Sequence, residues 1–377
     1  MDNSQVRRSC SLIYSKELVR QLSLIPSIGP RQYYVHSLIH SYELHSKLKI
    51  IRPVKASHED LLAFHSRDYV DLLRDPHDSN PEAVNEAGLG YDCPVLENML
   101  DWCCSIAGAS LTAADHLLHH DDDEGAGVVI NWDGGWHHAH RDSAAGFCYV
   151  NDIVLAIHRL QTRYKRVLYI DLDVHHGDGV EEAFSATDRV TTFSIHKFEA
   201  GYFPGTGSIR DIGTGRGRHH SINVPLEEGV TDHMYRNIFS ALFPDIMKQS
   251  DPDCVVLQCG ADCLVGDALG GFNLTPEVVT DCVKDVLSYN VPLLILGGGG
   301  YHHQNTARCW TMITAAVLGE TLDDDIPEDD AFFEKYGPDF QLPISQGCAR
   351  NRNTQVDVDN MILAIRENIK QMKSTKQ

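Results

Sequence analysis

The chain has 377 residues, of which 42% are hydrophobic and 23% are charged, so its composition is that of an ordinary globular protein. Its formal net charge of −21 argues against direct nucleic-acid binding, which needs clustered Lys and Arg. The charge favours a cationic partner such as a basic protein tail, and it also serves solubility. No apolar run reaches the roughly 18 residues that a membrane span needs, so we expect no membrane insertion.

The N-terminus and the cysteines favour an intracellular protein. The first residues are polar, carry Arg7 and Arg8, and lack the apolar core of a signal peptide. The 11 cysteines are odd in number, and no CxxC pair indicates a structural zinc site. We therefore expect reduced thiols that are mostly buried as small hydrophobic side chains.

Short apolar runs predict strands that alternate with helices along the whole chain. The runs are rich in Val, Ile and Leu without strict alternation, as expected where helices cover both faces of a parallel sheet. In chain order the predicted elements are a helix at Asn98–Leu118, a strand at Val128–Asn131, a helix at Asp152–Tyr164, strands at Val167–Asp173, Val190–His196 and Cys254–Cys259, a helix that begins at Thr275-Pro276-Glu277, a strand at Pro292–Leu296 and a helix from Thr306 to about Leu318.

This alternation predicts one α/β domain over residues 1–377, built on a single open, mostly parallel sheet with helices on both faces. Thr275 is expected to cap the helix that follows it, because its side chain can accept from free backbone N–H groups. Polar clusters follow four of the predicted strands, and ligand sites in such sheets lie beyond the carboxyl ends of the strands. The clusters therefore predict one crevice.

A metal site is predicted from Asp173, His175 and Asp262. In extended geometry Asp173 and His175 point the same way, and Asp262 follows a neighbouring strand. Two carboxylates and one imidazole suit Zn²⁺ and leave a coordination position open for water or substrate. Fe²⁺ and Mn²⁺ also accept these ligand types. The competing interpretation is a loop network in which the same side chains only cap turns.

The adjacent imidazoles of His137 and His138 are candidates for acid–base chemistry. A His-His pair alone is more often structural than catalytic. Here, however, Asp171 and Asp178 are available to orient the two rings. One imidazole can then act as general base toward a metal-bound water, while the other stays protonated beside the developing oxyanion.

Glycine-framed aromatic residues supply the remaining candidates. Four consecutive glycines precede Tyr301 and let the backbone approach a ligand closely, so that its hydroxyl can reach a substrate carbonyl; the alternative is a tight turn with a packed ring. Gly146 precedes Phe147, and Phe203 lies between further glycines on a second loop. Because loops lie at the surface, Phe147 and Phe203 are expected to form two walls of a narrow channel.

At these residues the sequence resembles class I histone deacetylases. The similarity runs from about Ile13 to Asn360, and its motifs are highly specific in combination. The segments that carry it are Gly134–Ala139 (GGWHHA), Asp171–Glu181 (DLDVHHGDGVE), Phe203–Gly207 (FPGTG), Gln258–Asp262 (QCGAD) and Gly297–Tyr301 (GGGGY).

The resemblance implies a zinc-dependent hydrolase that removes acetyl groups from lysine in histones and other proteins. It implies a role in chromatin regulation and transcriptional repression, in the nucleus and cytoplasm. In the implied site, zinc is bound by Asp173, His175 and Asp262. The pair His137 and His138 is oriented by Asp171 and Asp178, with His138 as the base, and Tyr301 is the electrophilic donor. The residues implied around the substrate are Asp92, Gly146, Phe147, Phe203 and Leu269, and Arg31 is implied beside a cavity that releases acetate.

The resemblance also implies two potassium sites. The first is formed by groups of Asp171, Asp173, His175, Ser194 and Ile195, and the second by Phe184, Thr187 and Val190. The chain departs from the family in having His220 in place of a tyrosine at the second site. It also has His302 and His303 after Tyr301, where the family has Asn and an apolar residue. The sequence does not define the oligomeric state.

Three alternative functions remain at this stage. The first is an acetylpolyamine or other small-amide hydrolase of the same fold, which a glutamate gate would favour; no such glutamate is identified. The second is a dimanganese arginase, which needs more carboxylate ligands than this cluster offers. The third is a catalytically inactive chromatin scaffold, which would be expected to lack Tyr301, a catalytic histidine or a metal ligand, and none is missing.

Overall fold

The structure, a computed structural model, describes residues 9–120 and 126–372. Its centre is an 8-stranded sheet, and every neighbouring pair of strands runs parallel. The strands are β1 (Cys10–Ile13), β2 (Lys49–Ile51), β3 (Val128–Asn131), β4 (Val167–Asp171), β5 (Val190–Lys197), β6 (Ser221–Leu226), β7 (Cys254–Gln258) and β8 (Leu293–Leu296). Across the sheet their order is β2-β1-β3-β8-β7-β4-β5-β6.

Parallel pairing requires long crossover connections, and helices lie in each of them except that from β5 to β6, where residues 198–220 contain only a short 3-10 turn. The helices are α1 (Lys16–Leu22), α2 (Arg31–Ser41), α3 (His58–Leu61), α4 (Arg67–Arg74), α5 (Pro81–Glu86), α6 (Met99–Leu118), α7 (Asp152–Leu160), α8 (Asp178–Phe184), α9 (Asp232–Ser250), α10 (Pro276–Ser288), α11 (His303–Leu318) and α12 (Gln355–Lys370). Among the residues described, no helix is both long and apolar enough to cross a bilayer.

The helices cover both faces of the sheet, as predicted. Val128 and Ile130 of β3 belong to a core cluster that includes side chains of α2, α9, α10 and α11. Val129, between them, belongs to a second cluster with side chains of α1, α4, α6 and α7. Successive side chains of a strand point to opposite faces, so both faces of β3 are buried. This burial explains why the strand is a continuous apolar run.

Several predicted boundaries shift in the structure. The strand predicted at Val167–Asp173 ends at Asp171, so Asp173 and His175 lie in the following loop rather than on extended backbone. The last helix predicted begins at His303 instead of Thr306. The prediction that Thr275 caps α10 is wrong, because its hydroxyl donates to Oδ2 of Asp232 and makes no capping bond.

Candidate active site

Four neighbouring strands, β3, β8, β7 and β4, bring the polar clusters to one edge of the sheet. Each cluster lies just beyond the carboxyl end of one of these strands, where ligands bind in open α/β sheets. The predicted single crevice is therefore present. Its lining includes Arg31, His137, His138, Gly146, Phe147, Asp173, His175 and Tyr301.

Asp173, His175 and Asp262 form a buried group whose ligand atoms all lie within 4.8 Å of one another. Nδ1 of His175 lies 3.2 Å from Oδ1 of Asp173 and 3.0 Å from Oδ2 of Asp262. The residues converge through a turn rather than through strand alternation, because the backbone N–H of His175 donates to Oδ1 of Asp173 at 3.0 Å. The structure thus brings the three predicted side chains together, although not through the extended backbone that was expected.

The chemistry of this group fits a divalent cation. Ligands at about 2.0–2.2 Å from a tetrahedral ion lie about 3.3 Å from one another, close to the separations of His175 Nδ1 from both carboxylates. Burial, with the negative charge of Asp173, raises the pKa of Asp262 to about 7. Two buried carboxylates repel each other, which costs free energy, and a bound cation would offset that cost.

Backbone and side-chain donors fix the orientation of both carboxylates. Oδ2 of Asp173 accepts from Nε2 of Gln258 and from the backbone N–H of Gly299, each at 2.8 Å. Oδ1 of Asp262 accepts from the backbone N–H of Val174 at 3.0 Å. Gln258 belongs to the motif QCGAD, but nothing in that motif indicates this role.

His137 and His138 stand side by side in the crevice, with ring centroids 3.9 Å apart. Nδ1 of His137 lies 2.8 Å from Oδ2 of Asp171, and Nδ1 of His138 lies 2.7 Å from Oδ1 of Asp178. The structure therefore joins each imidazole to one of the two expected carboxylates. Each carboxylate fixes a proton on Nδ1 and leaves Nε2 for chemistry.

The two imidazoles have opposite electrostatic environments. For His137, burial alone would lower the pKa, but Asp171 and Asp173 outweigh it and raise the pKa to about 9. For His138, burial and the neighbouring charge of His137 lower the pKa to about 4. One ring is thus cationic at neutral pH while the other is neutral, which is the division of labour that acid–base chemistry at one centre requires.

A buried carboxylate holds the turn that precedes this pair. Asp152, at the start of α7, accepts from the backbone N–H groups of Gly135 and Trp136 at 3.0 and 2.8 Å. It also accepts from the hydroxyl of Ser110 at 2.5 Å. No sequence motif indicated this role, because the bonded segments come together only in the folded chain.

The loop that carries Tyr301 approaches the metal group closely. A Cβ atom on Gly299 would lie 2.0 Å from Oδ2 of Asp262, so only glycine fits there. Burial and the charges of Asp262 and Asp173 raise the pKa of Tyr301 well above its ordinary value, which keeps its hydroxyl protonated as a donor. His302, one of the departures from the family, accepts from the backbone N–H of Asn305 and caps α11.

Arg31 lies beneath the glycine run. It donates from Nη1 to the carbonyl oxygens of Gly298 and Gly300 at 2.9 and 3.1 Å. Its guanidinium carbon lies 5.0 Å from the ring centroid of Trp310. Nε of Arg31 is buried and has no hydrogen-bond partner within the described part of the chain. An anion at the inner end of the crevice would meet this cation.

The predicted substrate residues surround the mouth of the crevice. Phe147 packs edge-on to Tyr301 and Phe203 edge-on to His138, so the two rings lie on different sides. Gly146 lies between, where a Cβ atom would approach Cδ2 of His138 to 2.4 Å. Leu269 and Asp92 lie at the rim. Leu269 is 40% exposed, and Oδ2 of the exposed Asp92 accepts from the backbone N–H of Gly146 at 2.7 Å.

The residues of the two implied potassium sites lie in different places. Ser194 pairs in register with Asp171 on the adjacent strand, and Ile195 follows it, so the first set lies behind the crevice. The second set lies near the amino end of β5: Phe184 ends α8, its carbonyl accepts from the backbone N–H of Thr187 at 3.1 Å, and Val190 begins the strand. The nearby His220 has Nδ1 2.9 Å from the hydroxyl of Thr191.

Comparisons with known proteins identify the family of the chain. A profile described as "Histone deacetylase domain" matches residues 28–317. Histone deacetylase 8 of Xenopus tropicalis is 45% identical over 368 residues, which cover 96% of this chain and 97% of the relative. The protein of the same name from Danio rerio is 44% identical over 373 residues, which cover 98% and 97%. Histone deacetylase 1 of Homo sapiens is 44% identical over 341 residues, which cover 89% and 70%. The chain therefore belongs to the histone deacetylase family, as a class I member of the histone deacetylase 8 type.

Proposed function

We propose that the protein is a metal-dependent lysine deacetylase that hydrolyses N6-acetyl-lysine in protein tails such as those of histones, giving lysine and acetate. The observation that carries the proposal is the meeting, in one crevice, of the group Asp173–His175–Asp262 with one cationic imidazole, one neutral imidazole and a protonated tyrosine hydroxyl. A catalytically inactive scaffold would have no reason to keep all of them.

Zinc is the proposed metal, held by Asp173, His175 and Asp262, and Fe²⁺ suits the same ligands. When bound, a zinc ion polarises the acetyl carbonyl and lowers the pKa of a water molecule. Two K⁺ sites are further proposals that rest on the resemblance alone. The first consists of groups of Asp171, Asp173, His175, Ser194 and Ile195, and the second of groups of Phe184, Thr187 and Val190.

His138 is the proposed general base. Its imidazole is neutral at pH 7, and Asp178 holds a proton on Nδ1, so Nε2 is available to take a proton from water. The water oxygen bonds to the acetyl carbon, the C–N bond breaks, and the proton passes to the departing lysine amine. After the water oxygen has bonded and before the C–N bond breaks, negative charge develops on the acetyl carbonyl oxygen. The cationic His137 stabilises this charge.

Tyr301 is the proposed second donor to the substrate carbonyl. Its hydroxyl keeps its proton, and Asp267 holds the backbone N–H of Tyr301 at 2.6 Å, so the donor is fixed before substrate arrives. A preorganised donor of this kind lowers the barrier by about 2.7–4 kcal/mol. The acetate product then lies near the buried cation of Arg31, which we propose as its exit partner.

The mouth of the crevice fits a lysine side chain. Phe147 and Phe203 provide apolar walls for its alkyl stem, while Asp92 offers a carboxylate to the peptide backbone at the rim. A net charge of −21 attracts basic tails over long range. The proposal includes action on chromatin, transcriptional repression, and a place in the nucleus and cytoplasm.

The test is turnover of a panel of acetyl-lysine peptides by zinc-reconstituted protein, with acetylspermidine measured in parallel. We expect the peptides to be hydrolysed with the higher kcat/KM. Preference for acetylspermidine would instead assign a polyamine deacetylase. Absence of turnover on every substrate by protein that holds one zinc per chain would contradict catalysis and favour the scaffold.

A further inference from the structure

Tyr202 contacts the metal group from the side opposite the carboxylates. Its hydroxyl oxygen lies 3.2 Å from Nε2 of His175, and the two rings are nearly parallel, with an interplanar angle of 3° and centroids 5.3 Å apart. The same oxygen lies 2.8 Å from the carbonyl oxygen of Leu269 and 3.1 Å from that of Gly270. Three groups therefore meet at one hydroxyl.

The direction of these hydrogen bonds follows from the chemistry of the groups. The carbonyl oxygens of Leu269 and Gly270 only accept, so the single proton of the Tyr202 hydroxyl points to them. The hydroxyl oxygen then has only lone pairs for His175, so Nε2 of His175 must carry the proton that joins the two residues. In a neutral imidazole with Nε2 protonated, Nδ1 bears a lone pair.

Nδ1 is the atom of His175 that faces the carboxylates of Asp173 and Asp262. The bond to Tyr202 thus selects the tautomer in which the lone pair of His175 points into the metal group. With a proton already held on Nε2, only Nδ1 is left to bind the metal, so no proton has to move from one ring nitrogen to the other when the metal binds. Groups that donate or accept at the second nitrogen of a metal-bound histidine commonly strengthen metal binding in this way.

Tyr202 itself is held firmly. Nζ of Lys197 lies 4.4 Å from the centroid of its ring, and its backbone N–H donates to the carbonyl oxygen of Glu199 at 3.0 Å. Its position is therefore set by the protein rather than by His175. A fixed acceptor can orient a neighbouring imidazole, whereas a mobile one cannot.

We propose that Tyr202 is a positioning residue that fixes the tautomer and the ring orientation of His175 for metal binding, and that ties this ligand to the rim at Leu269 and Gly270. The inference rests on the proposed function only in taking His175 as a metal ligand. It goes beyond that function because the function assigns no role to Tyr202, whose hydroxyl contacts the ring of His175 and, of Leu269, only the backbone carbonyl.

The test compares wild type with Tyr202→Phe, which keeps the ring and removes only the hydroxyl. Zinc affinity and zinc dissociation are measured by competition with a chelator, without any activity assay. We expect affinity to fall about 10- to 100-fold in the variant, as for other partners of ligating histidines. In zinc-loaded protein, ¹⁵N NMR of His175 should show a proton on Nε2 that exchanges with water faster in the variant than in wild type.

Tyr42→Phe is the matched control. The hydroxyl of Tyr42 also donates to two backbone carbonyls, those of Asp323 and Asp325 at 3.1 and 3.0 Å, outside the crevice. We expect this variant to bind zinc like wild type. If Tyr202→Phe binds zinc as tightly as Tyr42→Phe, or alters only the KM for peptides, Tyr202 is no more than a tether of the rim and the inference is wrong.

Failure of the inference and failure of the proposed function give different results. A wild-type protein that binds zinc tightly but hydrolyses no acetyl-lysine peptide contradicts the function and leaves the role of Tyr202 intact. A wild-type protein that deacetylates peptides while Tyr202→Phe keeps full zinc affinity contradicts the role of Tyr202 alone. Thermal melting of each variant in saturating zinc verifies that all of them fold.

Discussion

The backbone N–H of Tyr301 donates to Oδ2 of Asp267 at 2.6 Å, and this bond fixes the loop that presents the tyrosine hydroxyl. The same oxygen accepts from the backbone N–H of His302 at 3.0 Å, and Oδ1 accepts from that of Leu269 at 2.9 Å. One carboxylate therefore joins the glycine-rich loop to the rim of the crevice without entering the crevice itself.

Replacing this carboxylate should impair catalysis more than metal binding. Asp267→Asn removes the charge and turns one acceptor into a donor, so about 1.5–3 kcal/mol of charge-assisted hydrogen bonding is lost from the loop. We expect kcat to fall about tenfold or more with normal zinc content. In a double-mutant cycle with Tyr301→Phe the two losses should not add, and full additivity would show that Asp267 does not act through Tyr301.

Tyr301→Phe removes the proposed donor and keeps the ring. By the usual value of one oxyanion donor, kcat should fall about 10²- to 10³-fold. Zinc content and peptide affinity should stay near those of wild type, because neither depends on the hydroxyl. Near-normal turnover by this variant would reduce Tyr301 to a packing residue and remove the central step of the mechanism.

Asp262→Ala should abolish stoichiometric zinc binding, because it removes one of the three converging ligands. Elemental analysis of the purified variant provides the measurement. Asp267→Asn serves as the control, since it alters a neighbouring carboxylate that lies outside the metal group. Full zinc occupancy in the Asp262 variant would refute the ligand assignment.

Asp92 should matter for peptides through both its charge and its bond to Gly146. Asp92→Ala removes both, and kcat/KM on peptides should fall about tenfold or more if the carboxylate bonds the substrate backbone. Asp92→Asn keeps an acceptor for Gly146 and removes only the charge. Its deficit should be smaller, should be largest for lysine-rich peptides, and should shrink as salt increases. Unchanged kcat/KM in both variants would place Asp92 outside the site.

His65 should make the folded protein sensitive to acid. Burial lowers its pKa from 6.5 to about 4, and its Nε2 accepts from the backbone N–H of Asn151 at 3.0 Å, which a proton on Nε2 would break. The unfolded chain takes up this proton below pH 6.5, whereas the folded protein does so only near pH 4. His65 therefore contributes its full stability above pH 6.5, and on the order of 3 kcal/mol is lost as pH falls through this window.

Urea unfolding of wild type and His65→Gln between pH 7 and pH 4 measures this contribution. The glutamine carbonyl can replace Nε2 as acceptor and does not titrate. We therefore expect the variant to be close to wild type in stability above pH 6.5, to lose less free energy of unfolding between pH 6.5 and pH 4, and so to be the more stable protein near pH 4. Parallel pH profiles for the two proteins would exclude His65 as a source of acid sensitivity.

The sequence predicted the central strands well because burial on both faces leaves a continuous apolar run. It did not predict β2 and β6, which form the two edges of the sheet, or the short β1 beside β2. In β2 Lys49 is exposed and the other two residues are only partly buried, and β6 contains Pro225, which a central strand excludes. Edge strands lack the periodic signal on which sequence analysis depends.

For the candidate site, the sequence supplied the groups that perform chemistry but not those that hold them. Asp173 and Asp262 stand out because a carboxylate that follows a buried strand lies at the edge of the sheet where ligands bind. Gln258, Asp152 and Tyr202 do not stand out, since their roles consist of hydrogen bonds to residues distant in the chain. Only the packing of the strands reveals which distant backbone groups they meet.

Every cysteine except Cys348 is buried. Burial also raises the pKa of thiols such as those of Cys103 and Cys259, which disfavours the reactive thiolate. A maleimide reagent added to the folded protein therefore meets one accessible sulfur. Cys348 is a natural attachment point for a single fluorophore, and the appearance of a second label per molecule would report that the interior has opened.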